Sequence, residues 1–182
     1  MNLWIRILIY LLGAPFRARL DAPFGVSRLT FRVWPNDLDI NFHMNNSRYL
    51  TVMDIGRFDL IMRMGLARAA RKHKWMPVLS AAKVRFRREL RLFQKYTLES
   101  RIVWWATTHF VMEHRILIAT SNGGEQVAAA ALMLGGLYER ANKRFVPVGE
   151  LMQVMNVSEP SPEMTEEIRA FLDAEQALKR TM

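Results

Sequence analysis

Between Val26 and Met64 the spacing of apolar residues changes once, from every second position to every third or fourth, across a short run rich in Asp, Asn and His. Leu29, Phe31 and Val33 alternate with Arg28, Thr30 and Arg32. That is the pattern of a half-buried strand, stopped by Trp34-Pro35-Asn36. From about Asn46 the apolar positions are Tyr49, Met53, Gly56, Leu60 and Met64, one stripe of an amphipathic helix. Asn45 or Asn46 is placed to cap its start and Gly65 to mark its end. Gly56 lowers helix propensity in the middle of that stripe, a cost explained if the helix backbone comes close to a sheet.

The rest of the chain supplies such a sheet. A shorter basic helix is expected from Leu66 to about Lys74, followed by four strand-like segments. Val84 and Phe86 alternate with Lys83, Arg85 and Arg87. Tyr96, Leu98, Ile102 and Trp104 form the inner set of the next segment, and Phe110, Met112, Ile116 and Ile118 that of the third. The fourth, Glu125 to Tyr138, is rich in Ala and Gly and follows Ser121-Asn122-Gly123-Gly124, an Asn-Gly signal for a tight hairpin. Strand, long helix, then four meandering strands imply an α+β fold, with an antiparallel five-stranded sheet against one long helix. Ser161-Pro162 is read as opening a C-terminal amphipathic helix with Ile168, Phe171, Leu172 and Leu178 on its apolar face. A chain of 182 residues holds one such domain, and the expected divisions are 1–19, an apolar N-terminal segment, 20–155, the folded domain, and 156–182, the C-terminal helix.

Residues 3–14 (LWIRILIYLLGA) are apolar except for Arg6. Twelve helical residues reach about 18 Å, short of the ~30 Å hydrocarbon core of a bilayer. Met1 and Asn2 carry no side-chain charge and Leu12-Gly13-Ala14 is a poor cleavage site, which argues against a secretory signal. Two readings remain. One is an interfacial helix, with Trp4, Ile5, Leu8, Ile9 and Leu12 among acyl chains and Arg17 and Arg19 near lipid phosphates. The other packs the segment on its own domain or on a dimer partner. The net charge is +9, and the region up to Met155 holds 23 of the 26 bases but 11 of the 17 acids. The excess is therefore a basic surface, centred between Arg57 and Arg91. No nucleic-acid-binding motif accompanies it. With no cysteine in the chain there is no disulfide, thiolate zinc site or cysteine nucleophile, and no metal or redox cofactor is expected.

The chemistry-bearing residues cluster in Asn36-Asp37-Leu38-Asp39-Ile40-Asn41-Phe42-His43-Met44-Asn45-Asn46, at the junction of strand and helix. A helix N-terminus presents unpaired N–H groups and partial positive charge, so a carbonyl held there is polarised. A carboxylate at Asp39 could activate water beside it or attack directly, with Asn41 and His43 orienting the partners. The same residues also suit a plain polar turn, in which Asp37 and Asp39 bind their own backbone and His43 is structural.

The run from Asp37 to Tyr49 (DLDINFHMNNSRY) resembles the signature of hotdog-fold thioesterases of the 4-hydroxybenzoyl-coenzyme A thioesterase-like superfamily. It is similar to the Asp-x-Asn-x-His motif of plant acyl-carrier-protein thioesterases, met by Asp39, Asn41 and His43, and to the His-Met-Asn-Asn opening of the thioesterase superfamily member six type. Val84 to Leu90 (VRFRREL) resembles the second strand and turn of that family, with Glu89 where a proline is common. The likeness covers roughly Leu29 to Tyr138. It implies a hotdog fold, a dimer or higher homo-oligomer with the site between subunits, and Asp39 as base or nucleophile assisted by Asn41 and His43. Asn45, Asn46 and Ser47 would hold the thioester oxygen through backbone amides. Asp54 lies where relatives carry a carboxylate, but Arg57 three residues on makes it an ion-pair partner.

The expected function is hydrolysis of an acyl thioester of coenzyme A or acyl carrier protein, in the cytoplasm and peripheral to the inner membrane surface through residues 3–14. A non-enzymatic acyl-thioester or lipid-binding protein is one alternative. An enoyl-thioester hydratase is another, set back by Phe42 in place of the hydratase proline and by an Asp-to-His spacing of four. Lys83, Arg85, Arg87 and Arg91 suit coenzyme A phosphates or an acidic carrier surface, or else form a solvated strand face. His109 and His114 fall on opposite faces of one strand, which excludes a joint metal site and makes them structural or rim residues. Met53, Met62, Met64 and Met112 would line an adaptable acyl tunnel or fill the core.

Overall fold

The computed structural model describes residues 3–181, without the side chains of Leu3, Trp4, Leu11 and Pro15; the placement of Trp4 among acyl chains lies outside that set. The elements in chain order are α1 (Leu3–Gly13), β1 (Ser27–Arg32), α2 (Asn46–Arg63), α3 (Leu66–His73), β2 (Trp75–Phe86), β3 (Lys95–Trp105), β4 (His109–Ala119), β5 (Glu125–Glu139), β6 (Arg144–Phe145), α4 (Val148–Val154) and α5 (Glu166–Lys179). The sheet is antiparallel in the order β1-β3-β4-β5-β2, with two-residue β6 beside β5. It curls around α2 as a hotdog-like α+β fold.

The curl comes from three register shifts, near Ser80 in β2, Val103 in β3 and Ala128 in β5. A bulge bends its strand and strengthens the local twist. The shift at Val103 also corrects one sequence expectation. Alternation through β3 puts Trp104 on the inner face, but the extra residue turns it to the outer face. There it joins Val111, Leu134, Ile168 and Phe171 under α5, while Trp105 packs inward with Leu60 and Phe110. Two further corrections concern the ends of elements. β2 begins at Trp75, well before Val84, and α5 begins at Glu166 behind Thr165, whose hydroxyl accepts from Ile168 N. Ser161 instead accepts from Trp105 N at 3.0 Å.

α2 lies on the concave face, and Tyr49, Val52, Met53, Ile55 and Leu60 are buried there. Gly56 is the point of closest approach. A Cβ built on it would sit 2.5 Å from Leu98 Cδ2 and closer still to the Ser100 hydroxyl of β3. The large Leu98 side chain leaves room only for hydrogen at that position. At the far end, Gly65 at φ +84° turns the chain from α2 into α3.

The N-terminal segment folds back on the body. Ile7 and Tyr10 pack against the main core, and the Tyr10 ring lies 4.5 Å from that of Phe31. Arg17 is tied to fully buried Asp59 at 2.5 Å, which also accepts from Ser27 Oγ at 2.6 Å and Arg63 Nη1 at 3.1 Å. Arg17 is thus engaged by Asp59 while remaining partly open to solvent, and Arg19 is exposed.

Gly56→Val is expected to lower stability by about 3 kcal/mol, overpacking and lost wedge geometry outweighing the removal of a helical glycine. Urea unfolding at neutral pH measures it, and Gly149→Val, which would meet nothing within 4 Å, serves as control.

Candidate active site

The loop between β1 and α2 closes as a small hairpin. Leu38 and Met44 face each other as an isolated antiparallel bridge. Within it Asp39 N donates to His43 O at 3.0 Å and Phe42 N to Asp39 O at 3.1 Å. Phe42 sits at φ +58°, the left-handed residue that completes a turn-plus-bulge hairpin, and its side chain is exposed together with that of Ile40. Two neighbours hold the hairpin. Asn45 N donates to Asp37 O and Met44 N to Leu90 O, both at 2.8 Å. The turn bearing Leu90 is fixed in turn by Arg87 N and Arg88 N on the bulge carbonyl of Ala128 at 2.8 and 3.0 Å. The curl of the sheet thus reaches the loop through backbone bonds.

Inside this frame the Asp39 carboxylate has two occupations. Its Oδ1 accepts from Asn41 N at 2.9 Å, closing an Asx turn, and its Oδ2 lies 3.4 Å from His43 Nδ1. Both side chains remain partly open to solvent, at 19% for Asp39 and 30% for His43. Asn41 is brought into the cluster by its backbone, with its side chain exposed. Asn45 caps α2 by accepting from Ser47 N at 2.9 Å and Ser47 Oγ at 2.7 Å. The amides of Asn45 and Ser47 are thus both engaged, the first by Asp37 O and the second by the Asn45 side chain. Asp54 pairs with Arg57 at 2.8 Å, as its spacing suggests.

Arg85 and Arg87 lie away from the hairpin, on the outer face of the sheet. With Lys83, Arg115, Glu113 and Glu167 they line an open cleft of about 630 Å³. Arg91 is not with them: it pairs with Glu89 at 2.6 Å and its backbone bridges His43. Met53, Met64 and Met112 are core residues. The apolar gap beside Met64, Ile102 and Phe110 offers only about 30 Å³, room for roughly one water molecule and not for an acyl chain.

Of the two histidines on β4, His114 is the structural one. It is fully buried beneath α2, with Nδ1 2.8 Å from Ser100 Oγ. Burial, aided by Arg57, pushes its pKa down to about 3. His109 at the start of β4 is half-buried, and desolvation lowers its pKa. Among the described residues no group of three or more His, Cys, Asp or Glu could hold a metal ion.

The match to a family model described as the thioesterase-like superfamily runs over residues 33–172. The chain belongs to that superfamily. It is 30% identical over 139 residues to Protein THEM6 of Drosophila melanogaster, covering 76% of this chain and 67% of that one. To Protein THEM6 of Danio rerio it is 41% identical over 92 residues, covering 50% of this chain and 45% of that protein; the alignment thus spans less than half of the zebrafish protein. The solved 4-hydroxybenzoyl CoA thioesterase of Pseudomonas sp. strain CBS-3 superposes with a TM-score of 0.61 at 15% identity, over 71% of this chain and 98% of that one, a likeness of fold.

His114 stays neutral in the fold, but its counterpart in the unfolded chain takes up a proton below about pH 6.5. Stability is expected to fall by about 1.4 kcal/mol per pH unit as pH drops from roughly 6 towards 3. In a His114→Gln variant that slope is reduced by about one proton's worth, as measured by urea unfolding at successive pH values.

Proposed function

We propose that this chain hydrolyses acyl thioesters of coenzyme A or acyl carrier protein at the N-terminus of α2. The observation that carries the reading is the Asp39 carboxylate, held against His43 in a hairpin that ends on the helix N-cap. The thioester carbonyl lies against the Asn46 amide, where the helix dipole opposes the charge growing on oxygen. Asp39 takes a proton from water as the water oxygen bonds to the carbonyl carbon. The C–S bond then breaks and the thiolate leaves, to be protonated. Direct attack by Asp39, giving an anhydride that water opens, uses the same geometry. His43 steadies the carboxylate orientation. The outer cleft with Lys83, Arg85, Arg87 and Arg115 suits the phosphates of the carrier.

The homodimer is assigned to β2. This strand forms one edge of the five long strands, with Leu79 and Phe86 about two-fifths exposed, and an unpaired edge of that length invites a second copy. Membrane contact is assigned to the outer face of α1, where Ile5, Leu8, Ile9, Leu12 and neighbouring Phe16 are exposed. No helix among the described residues is long and apolar enough to cross a membrane. The second reading, a non-enzymatic acyl-thioester sensor, draws on the Asx turn: Asp39 would serve the loop equally well without chemistry.

Free-thiol release from acetyl- to palmitoyl-coenzyme A and aromatic esters decides between them. Turnover is expected, with kcat lowered about 10²–10⁴-fold in Asp39→Ala and the fold retained by circular dichroism. Binding without turnover on every coenzyme A ester moves the reading to a carrier-protein substrate, tested with acyl-carrier-protein thioesters, and failure on those as well supports the sensor. Separately, Leu8→Glu with Leu12→Glu is expected to abolish co-sedimentation with anionic vesicles; equal partitioning of this variant and the native chain removes the lipid assignment.

A further inference from the structure

Arg6 is the one charge in the apolar N-terminal run, and an interfacial helix alone gives it no purpose. In the structure it is 1% exposed and forms an ion pair with Asp37, equally buried, two residues before Asp39. Asp37 is the fastening point of the whole loop. Its Oδ2 accepts from Trp34 N at 2.8 Å at the loop entrance. Its carbonyl accepts from Asn45 N at 2.8 Å at the exit, where α2 is capped. One residue thus holds both ends of the segment carrying Asp39 and His43.

A carboxylate buried to this degree needs a counter-charge, because desolvation strongly disfavours the isolated ion. Among the described residues the ion pair that meets this need is the one with Arg6, on an element outside the sheet and far away in sequence. Tyr10, one turn further on the same face of α1, completes the seat: its ring lies against Phe31 and its hydroxyl donates to Thr30 O. We infer that Arg6 is a positioning residue for the candidate active site, so that α1 is part of the scaffold holding Asp39 in place and not only a docking segment. This rests on the thioesterase reading for its kinetic consequence, but not for its structural one.

The test compares the full-length native chain with Arg6→Met and Arg6→Lys. Met keeps the stem without charge; Lys keeps the charge but loses the planar fork. In Arg6→Met, amide hydrogen exchange at Phe42 and Asn45 is expected to rise about tenfold or more, with β4 amides unchanged. On the best acyl-coenzyme A ester kcat is expected to fall about ten- to a hundredfold with KM within about threefold, as misplacement of a catalytic group does. Arg6→Lys should recover part of both. Unchanged exchange at Asn45 in Arg6→Met overturns the inference, as does an increase spread equally through β3, β4 and β5, which would mark a general loss of stability. Should Arg6→Met not fold, Arg6→Lys alone decides by the same local comparison. A native chain without turnover on any coenzyme A or acyl-carrier-protein thioester defeats the thioesterase reading, while the exchange result still judges Arg6.

Discussion

The close approach of α2 to β3 at Gly56 is the contact on which the other features depend. With Leu98 and Ser100 occupying the space a side chain would need, the helix can be seated at one depth only. That depth buries Tyr49, Val52 and Met53 and fixes where the α2 N-terminus emerges. The curl answering it comes from extra residues in three strands. One of these, Ala128, passes the geometry outward through its carbonyl to Arg87 and Arg88, and thence by Leu90 to Met44. The candidate site inherits its position from the core by backbone hydrogen bonds.

In the proposed mechanism the Asp39 carboxylate serves folding and chemistry together. One oxygen closes the turn on Asn41 N and the other faces His43. The plain-turn and catalytic readings of the sequence therefore describe two atoms of the same side chain. Its neighbour Asp37 divides the labour differently: fully buried and paired, it has no route to substrate and instead holds the loop from below. Spacing alone cannot rank two aspartates two residues apart; burial does.

The change of period at Asn46 and the stripe from Tyr49 to Met64 make β1 and α2 legible in the sequence, and Gly56 points to a close approach of helix and sheet. The small residues of β5 suggest that strand as the partner, whereas the contact is with Leu98 and Ser100 of β3, whose own side chains fill the space. The Asp-x-Asn-x-His run located the loop. What escaped reading arose from interactions between distant segments. A bulge at Val103 reversed the faces of Trp104 and Trp105, a change invisible to strict alternation. His114 occupies an inward position by simple parity with Met112 and Ile116, but its partner Ser100 lies on another strand. Arg6 read as an interruption of an apolar run because its counter-ion is 31 residues away.

The proposed function requires first that acyl thioester bind at the α2 N-terminus. Backbone amide chemical-shift mapping with a non-hydrolysable acyl-coenzyme A thioether tests it most directly, because it needs no turnover. The largest shifts are expected at Asp39 to Ser47, with a second set along Lys83 to Arg87. Saturable shifts confined to another surface, with the 39–47 amides unmoved, would contradict it.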